Sequence, residues 1–281
     1  MELLSNSLYI VSTPIGNLDD ITLRAINVLK NSDIILCEDT RHSLKLLNHL
    51  QIKKKLVSYH KFNEKKKISS IIKYINEGKI LSLISDAGTP LLSDPGRLLV
   101  NQCIEKKIKV VPIPGVSSIT TAMSVSGYKD RFLFYGFLPK TENELNKVLS
   151  SLSHQIFSQV FFIPAIKINF YLNRFKKYFS GRKILIAKEI TKIHETFFRD
   201  EVNDLNMFKS KIKGELTVII SEKNIKDKDK VLDKEKIVNK AKKYLKKYSL
   251  KDTVDLILET EDVNKKEIYQ LCLKIKNEKN N

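Results

Sequence analysis

No stretch of the chain approaches the ~20 consecutive apolar residues that span a bilayer, so a helical membrane protein is excluded. Residues 1–7 carry neither a basic segment nor an apolar core. Nothing marks the chain for export, and a cytoplasmic location is expected. Cys37, Cys103 and Cys272 are odd in number, far apart and without a C-x-x-C pair, which argues against a disulfide framework and for buried thiols in a reducing compartment. The five histidines show no ligand spacing, so no metal is expected. Neither G-x-G-x-x-G nor a Walker loop occurs, which leaves a dinucleotide or NTP phosphate site unsupported. Arginine is scarce as well: 7 Arg stand against 43 Lys. The net charge of +18 therefore permits polyanion binding without establishing it, because Arg is the better phosphate fork and lysine-rich surfaces are often merely solvated.

What is present is 42% hydrophobic residues over 281 positions, enough for two cores and an appendage. The runs LYIVST (8–13), DIILCE (33–38), LVSYH (56–60), KILSLIS (79–85) and KVVPIP (109–114) read as strands. A helix capped by Asp19 or Asp20 follows the first, and helical segments at 41–50, 64–77, 94–106 and 116–126 follow the others. Strands this rich in Ile, Leu and Val are buried on both faces, which predicts a parallel sheet covered by helices. The rhythm restarts near residue 128 with RFLFYGFL (131–138), QVFFIP (159–164), KILIAKEI (183–190) and ELTVIIS (215–221). The expected class is α/β, with two consecutive α/β domains (1–127 and 128–222). A charged linker (223–234) and a small C-terminal helical domain (235–281) follow. SLKDTVDLILE (249–259) and DVNKKEIYQLCLKI (262–275) there have helix-turn-helix spacing.

Open α/β sheets bind ligands beyond the carboxyl ends of their strands. In this chain those ends carry Thr13-Pro14-Ile15-Gly16-Asn17, Glu38-Asp39-Thr40-Arg41, Asp86-Ala87-Gly88-Thr89-Pro90 with Ser93-Asp94-Pro95-Gly96, and Pro114-Gly115-Val116-Ser117-Ser118. Any one such loop commonly makes only a turn and a helix cap. Four on one edge of one sheet indicate a site where backbone amides and carbonyls approach a neutral or zwitterionic ligand.

The strings TPIGNLDDITLRA, EDTRHSLKLLNH, SDAGTPLLSDPG and VPIPGVSS, followed by DRFLFYGFLP, KEITK and KGELTVII, run in order along nearly the whole chain. They resemble the bacterial 16S rRNA cytidine 2′-O-methyltransferase family of the tetrapyrrole-methylase-like class. The resemblance implies S-adenosylmethionine as cofactor in a cleft between the two domains, no metal, a homodimer, and a decoding-centre cytidine of 16S rRNA in the small ribosomal subunit as substrate. It places Asp86, Gly88, Thr89, Pro90, Gly115, Ser117 and Ser118 of the first domain at the cofactor, with Phe161, Phe162, Ala187 and Thr217 of the second.

Methyl transfer from a sulfonium is mostly alignment, and a carboxylate that takes the ribose hydroxyl proton would assist. Asp94 is the first candidate base, weighed against capping a helix that starts at Pro95. Glu38 and Asp39 are the next candidates, weighed against an ion pair, and Arg41 could grip phosphate. His60 and Asn63 are possible RNA contacts. Lys188 and Lys192, together with Glu189, Thr191 and Glu195, could line the substrate side, while Lys265 and Lys266 of the tail could meet RNA backbone. One departure stands out. Where the family carries aromatic-Glu-Ser/Ala-Pro-His-Arg, this chain has Phe162-Ile163-Pro164-Ala165-Ile166-Lys167, so roles of that Glu, His and Arg do not transfer. Two rivals remain. A tetrapyrrole C-methyltransferase is opposed by the TPIGN loop and the added helices. A non-catalytic RNA-binding adaptor is favoured by the altered 162–167 stretch and opposed by the intact loop edge.

Overall fold

The apolar runs of the first half become five short strands: β1 (Ser7–Val11), β2 (Ile34–Cys37), β3 (Lys55–Ser58), β4 (Ile80–Leu83) and β5 (Lys109–Ile113). All pair in parallel, in the order β3-β2-β4-β1-β5. The structure, a computed structural model, describes residues 3–209, 214–223, 237–261 and 265–277. Helices α1 (Leu23–Asn31), α2 (Thr40–His49), α3 (Glu64–Asn76) and α4 (Arg97–Glu105) cover the sheet on both faces. Leu8, Leu36 and Leu81 pack with Ile71, Ile75 and Leu99 on one side, and Tyr9, Ile35 and Cys37 with Ala25, Leu29 and Leu47 on the other. This double burial is why the strands read as unbroken apolar runs.

Two helix starts differ from expectation. Neither Asp19 nor Asp20 caps α1. A 3₁₀ turn, Leu18–Asp20, intervenes under Asn17, and Thr22 caps the helix by accepting from the Ala25 amide at 3.1 Å. Asp94 likewise caps nothing. α4 begins at Arg97 behind Gly96, whose φ of +130° is a conformation that side chains disfavour.

The second sheet is mixed, in the order β6-β7-β10-β8-β9, with β6 (Phe132–Phe137), β7 (Ser158–Pro164), β8 (Lys183–Lys188), β9 (Thr196–Glu201) and β10 (Glu215–Ile220). β6 and β7 are parallel, and the remaining pairs are antiparallel. β9 was not expected: TFFRDE is an edge strand whose charges face solvent and break the apolar alternation. Helices α6 (Glu142–Ser153) and α7 (Ile168–Tyr178) cover one face. The opposite face packs against α5 (Ser118–Ser124), which follows the last strand of the first sheet and sets Ile119 and Ala122 against Val160, Leu185 and Ile219. Both sheets thus lie in one unit, Met1–Glu222.

Residues Lys223–Asn281 form a second unit. The expected linker at 223–234 lies outside the described residues except for Lys223. A helical segment at 237–244 (α8), α9 (Leu250–Thr260) and α10 (Lys265–Asn277) bury Ile237, Ala241, Val254, Ile257, Ile268 and Cys272 together. All three cysteines are buried free thiols. No described helix is long and apolar enough to cross a membrane.

Candidate active site

The loops after β1, β4 and β5 are knitted together by small polar side chains. Thr13 and Gly88 exchange both backbone hydrogen bonds, at 2.9 and 3.0 Å. The Thr13 hydroxyl donates to the Ser85 carbonyl at 3.1 Å. The Thr89 hydroxyl lies 3.0 Å from Ser12 Oγ and donates to the Val116 carbonyl at 3.0 Å. One threonine therefore joins three loops. Gly88 has a φ of +77°, and a Cβ there would lie 3.3 Å from the Ile15 methyl. At Gly115 a Cβ would lie 2.8 Å from Ser12 Cβ, so glycine is what lets these loops touch.

Over this edge the second sheet presents one cross-strand row. Phe137, Phe162, Thr217 and Ala187 are register partners along β6, β7, β10 and β8. The cavity between row and loops has a volume of about 420 Å³, within the range of small-molecule sites. Its lining carries two kinds of chemistry. Gly88, Thr89, Ser117, Ser118, Phe162 and Thr217 supply neutral backbone, hydroxyls and an aromatic face. Glu38, Asp86, Asp94, Glu189, Lys192 and Glu215 supply charge.

Among the charged lining residues, Asp86 accepts from the Asp39 amide at 3.2 Å and ties the β4 loop to the β2 loop. Burial raises the Asp94 carboxyl above the ordinary carboxylate range. The nearby charges of Asp86 and Glu215 raise it further, while a hydrogen bond with Ser85 opposes them. Glu38 is also raised, first by burial and then by Asp86 and Asp94, against the pull of His60. Half-buried carboxyls that hold protons more tightly than usual mark proton-handling sites.

Several sequence expectations fall elsewhere. Phe161 points away from the cavity and is fully buried against Phe175 and Phe179, because successive strand residues alternate faces. Lys188 alternates away from Ala187 in the same manner and does not line the cavity. Pro90 is buried behind the loop, and Gly115 packs on Ser12. Arg41 is 88% exposed and chelates Asp39 through two hydrogen bonds, which pulls that carboxyl down to about 2. Asp39 also caps α2. Lys265 pairs with Asp255 at 3.2 Å within the C-terminal unit, where Lys266 is exposed. Ile163, Ile166 and Lys167, the departures from the family pattern, do not line the cavity: Ile163 is in the core, and the other two are exposed.

Other lining residues were not singled out from sequence, among them Ile15, Ser93, Phe137 and Glu215. Ser93 has a φ of +74° and sits against Gly136, where a Cβ would lie 2.8 Å from its Oγ. The signal was there: a lone glycine inside RFLFYGFL marks a close approach, and β6 bulges at that point.

The KEITK segment reaches from the second sheet to the first. Glu189 (φ +53°) and Thr191 (φ +67°) hold left-handed conformations uncommon for side-chain-bearing residues. Thr191 Oγ1 accepts from the Asn17 amide at 3.0 Å, and Lys192 pairs with Glu189 at 3.1 Å. A Cβ at Gly16 would lie 2.5 Å from Lys192 Cγ and 2.8 Å from Thr191 Oγ1. Gly16→Val is therefore expected to push this strap off the cavity and weaken cofactor retention about tenfold, a typical cost of 1–2 kcal/mol for overpacking. Titration calorimetry with S-adenosylhomocysteine checks it, and unchanged affinity would show that the strap does not retain ligand.

Comparison with known proteins places this geometry. The family described as Tetrapyrrole (Corrin/Porphyrin) Methylases matches residues 7–206. The chain is 45% identical over 225 residues to the ribosomal RNA small subunit methyltransferase I of Mesomycoplasma conjunctivae, covering 79% of this chain and 94% of the relative. It is 42% identical over 279 residues to the protein of the same name from Rickettsia prowazekii, covering 98% and 99%. Among solved structures, the methyltransferase CobJ has a TM-score of 0.60 at 16% identity, over 77% of this chain and 94% of that one. Uroporphyrin-III C-methyltransferase from Thermus thermophilus, complexed with S-adenosylhomocysteine, has a TM-score of 0.55 at 15% identity, over 77% and 97%. At those identities the solved structures attest the fold alone. The family match and the sequence relatives make the chain a methyltransferase that belongs to the tetrapyrrole methylase family, in its small-subunit ribosomal RNA methyltransferase I branch.

Proposed function

We propose that the chain methylates the ribose 2′-hydroxyl of a decoding-centre cytidine in 16S rRNA, using S-adenosylmethionine. The observation that carries this reading is a single cavity lined both by neutral backbone and hydroxyls and by the raised carboxyl of Asp94. The relatives at 36–45% identity named for small-subunit rRNA support it over a porphyrinoid substrate. The residues fit the cofactor. Backbone at Gly88 and the hydroxyls of Ser117 and Ser118 suit an uncharged nucleoside, and the carboxylates complement an ammonium and a sulfonium.

When bound, the cofactor supplies a methyl group already activated by positive charge on sulfur. The chain's own task is then alignment and proton removal. Asp94 would accept the hydroxyl proton at its carboxylate as the oxygen takes the methyl group and the methyl's bond to sulfur breaks, and Ser85 holds that carboxylate in place. Glu38 lies close enough for the Asp94 charge to raise its carboxyl. Asp86, through the Asp39 amide, fixes the loop on which both depend. Lys192 and Arg41 meet RNA phosphate at the rim.

The reading includes a cytoplasmic homodimer. It is supported by edge strand β6, where Phe132, Leu133 and Tyr135 are all more than a third exposed. Incubation with small subunits lacking the modification, followed by mapping of the methylated nucleotide, tests the function. Methylation of a base, or none, overturns it. Deleting 230–281 is expected to lower subunit methylation at least about tenfold while sparing cofactor binding, since Lys265 and Lys266 lie in the removed helices. Unchanged methylation by the truncated chain removes the tail from the RNA interface.

A further inference from the structure

Two residues beyond His60, which bears electrostatically on the cavity-lining Glu38, stands an exposed aromatic ring. Phe62 is 91% exposed, whereas the next most exposed aromatic among the described residues, Tyr248, is 50% exposed. A single exposed apolar residue is ordinary by itself. Three observations make this one different.

The ring is held out by a braced turn. Asn63 Oδ1 accepts from the His60 amide at 2.9 Å, Asn63 Nδ2 donates to the Ser58 carbonyl at 3.2 Å, and the His60 carbonyl accepts from the Asn63 and Glu64 amides. The Phe62 amide donates to His60 Nδ1 at 3.3 Å, and the two rings meet edge-on at 6.1 Å.

The turn also adjoins the segment that carries Glu38 to the cavity lining. β3 lies beside β2, the Tyr59 amide donates to the Cys37 carbonyl at 2.8 Å, and His60 bears electrostatically on Glu38. Finally, the ring's chain neighbours are mostly basic. Lys61, Lys65 and Lys66 are exposed on the turn and the start of α3, with the half-buried Glu64 among them, and Arg41 is 88% exposed in the first turn of α2. A protein-docking ring would be expected among other apolar groups. A lone ring among cations suits single-stranded RNA, whose bases offer π-faces between anionic phosphates.

We propose that Phe62 is a stacking platform for an unpaired base of the RNA next to the methylated nucleotide, with Lys61 facing its phosphate. This rests on the RNA reading above. His60 and Asn63, candidate RNA contacts from sequence, then act as the brace that presents the ring.

The chain contains no tryptophan, so Phe62→Trp places a single fluorophore at the platform. Its emission is expected to be quenched by a single-stranded pyrimidine-rich oligoribonucleotide, and not by the same strand annealed to its complement. Phe62→Leu is expected to raise KM for unmodified small subunits roughly 5- to 160-fold, the range for losing one stacked base, with cofactor affinity unaltered and Phe62→Trp restoring KM. Unchanged KM in Phe62→Leu overturns the proposal, as does unquenched emission from Phe62→Trp with the single strand. Quenching by RNA-free ribosomal proteins and not by the oligonucleotide would assign the ring to a protein contact, and also overturns it. A wild-type chain that methylates no subunit would refute the RNA function instead, while the oligonucleotide arm still reports on the platform.

Discussion

Asp94→Asn is expected to lower kcat for subunit methylation by about 10² or more, the usual contribution of a positioned general base. The substitution keeps size and the contact with Ser85 but removes the ability to take a proton. Cofactor affinity should change little, because the substitution leaves Gly88, Thr89, Ser117 and Ser118 unaltered.

The pH profile supplies a second readout. Burial and the charges of Asp86 and Glu215 raise the Asp94 carboxyl above its ordinary value, so at low pH it is protonated and cannot accept. Wild-type kcat should rise with pH through that raised value and then level off. In Asp94→Asn that limb should disappear. Near-normal turnover with the limb intact would move the base role to Glu38, whose carboxyl is raised by the same neighbourhood.

Gly88→Val should abolish detectable cofactor binding at micromolar concentrations and lower stability by about 1–3 kcal/mol. At a φ of +77° a β-branched residue is strained, and its Cβ would press on Ile15 at 3.3 Å. The paired hydrogen bonds between Gly88 and Thr13 would then open, and with them the link that Thr89 makes to Ser12 and Val116. Calorimetry with S-adenosylhomocysteine and a thermal melt check the two effects separately. A variant that melts lower yet binds normally would show that the loop's shape does not set affinity.

Much of this was legible along the chain. Unbroken Ile, Leu and Val runs announced a sheet covered on both faces, and glycine, proline and aspartate after each strand announced the working edge. Those signals are local. Side-chain period and turn chemistry are set by neighbours a few positions away, so they survive in a bare sequence. The loop strings sufficed for the family resemblance because their order records the whole edge at once.

Tertiary structure alone decided which groups meet. Phe161 and Phe162 are equally apolar neighbours, and only the register of β7 on β10 sends one into the core and the other to the cavity. Asp39 and Asp94 both read as candidate acids, the first weighed against an ion pair and the second against a helix cap. Asp39 caps α2 and is neutralised by Arg41, whereas Asp94 is left half-buried among other carboxyls because α4 starts behind Gly96. β9 and the meeting of Gly16 with Lys192 or of Gly136 with Ser93 depend on chain segments far apart in sequence. Charge state, face and contact are properties of such distant pairings, so the sequence by itself determined the edge and the family, while the fold chose the acid.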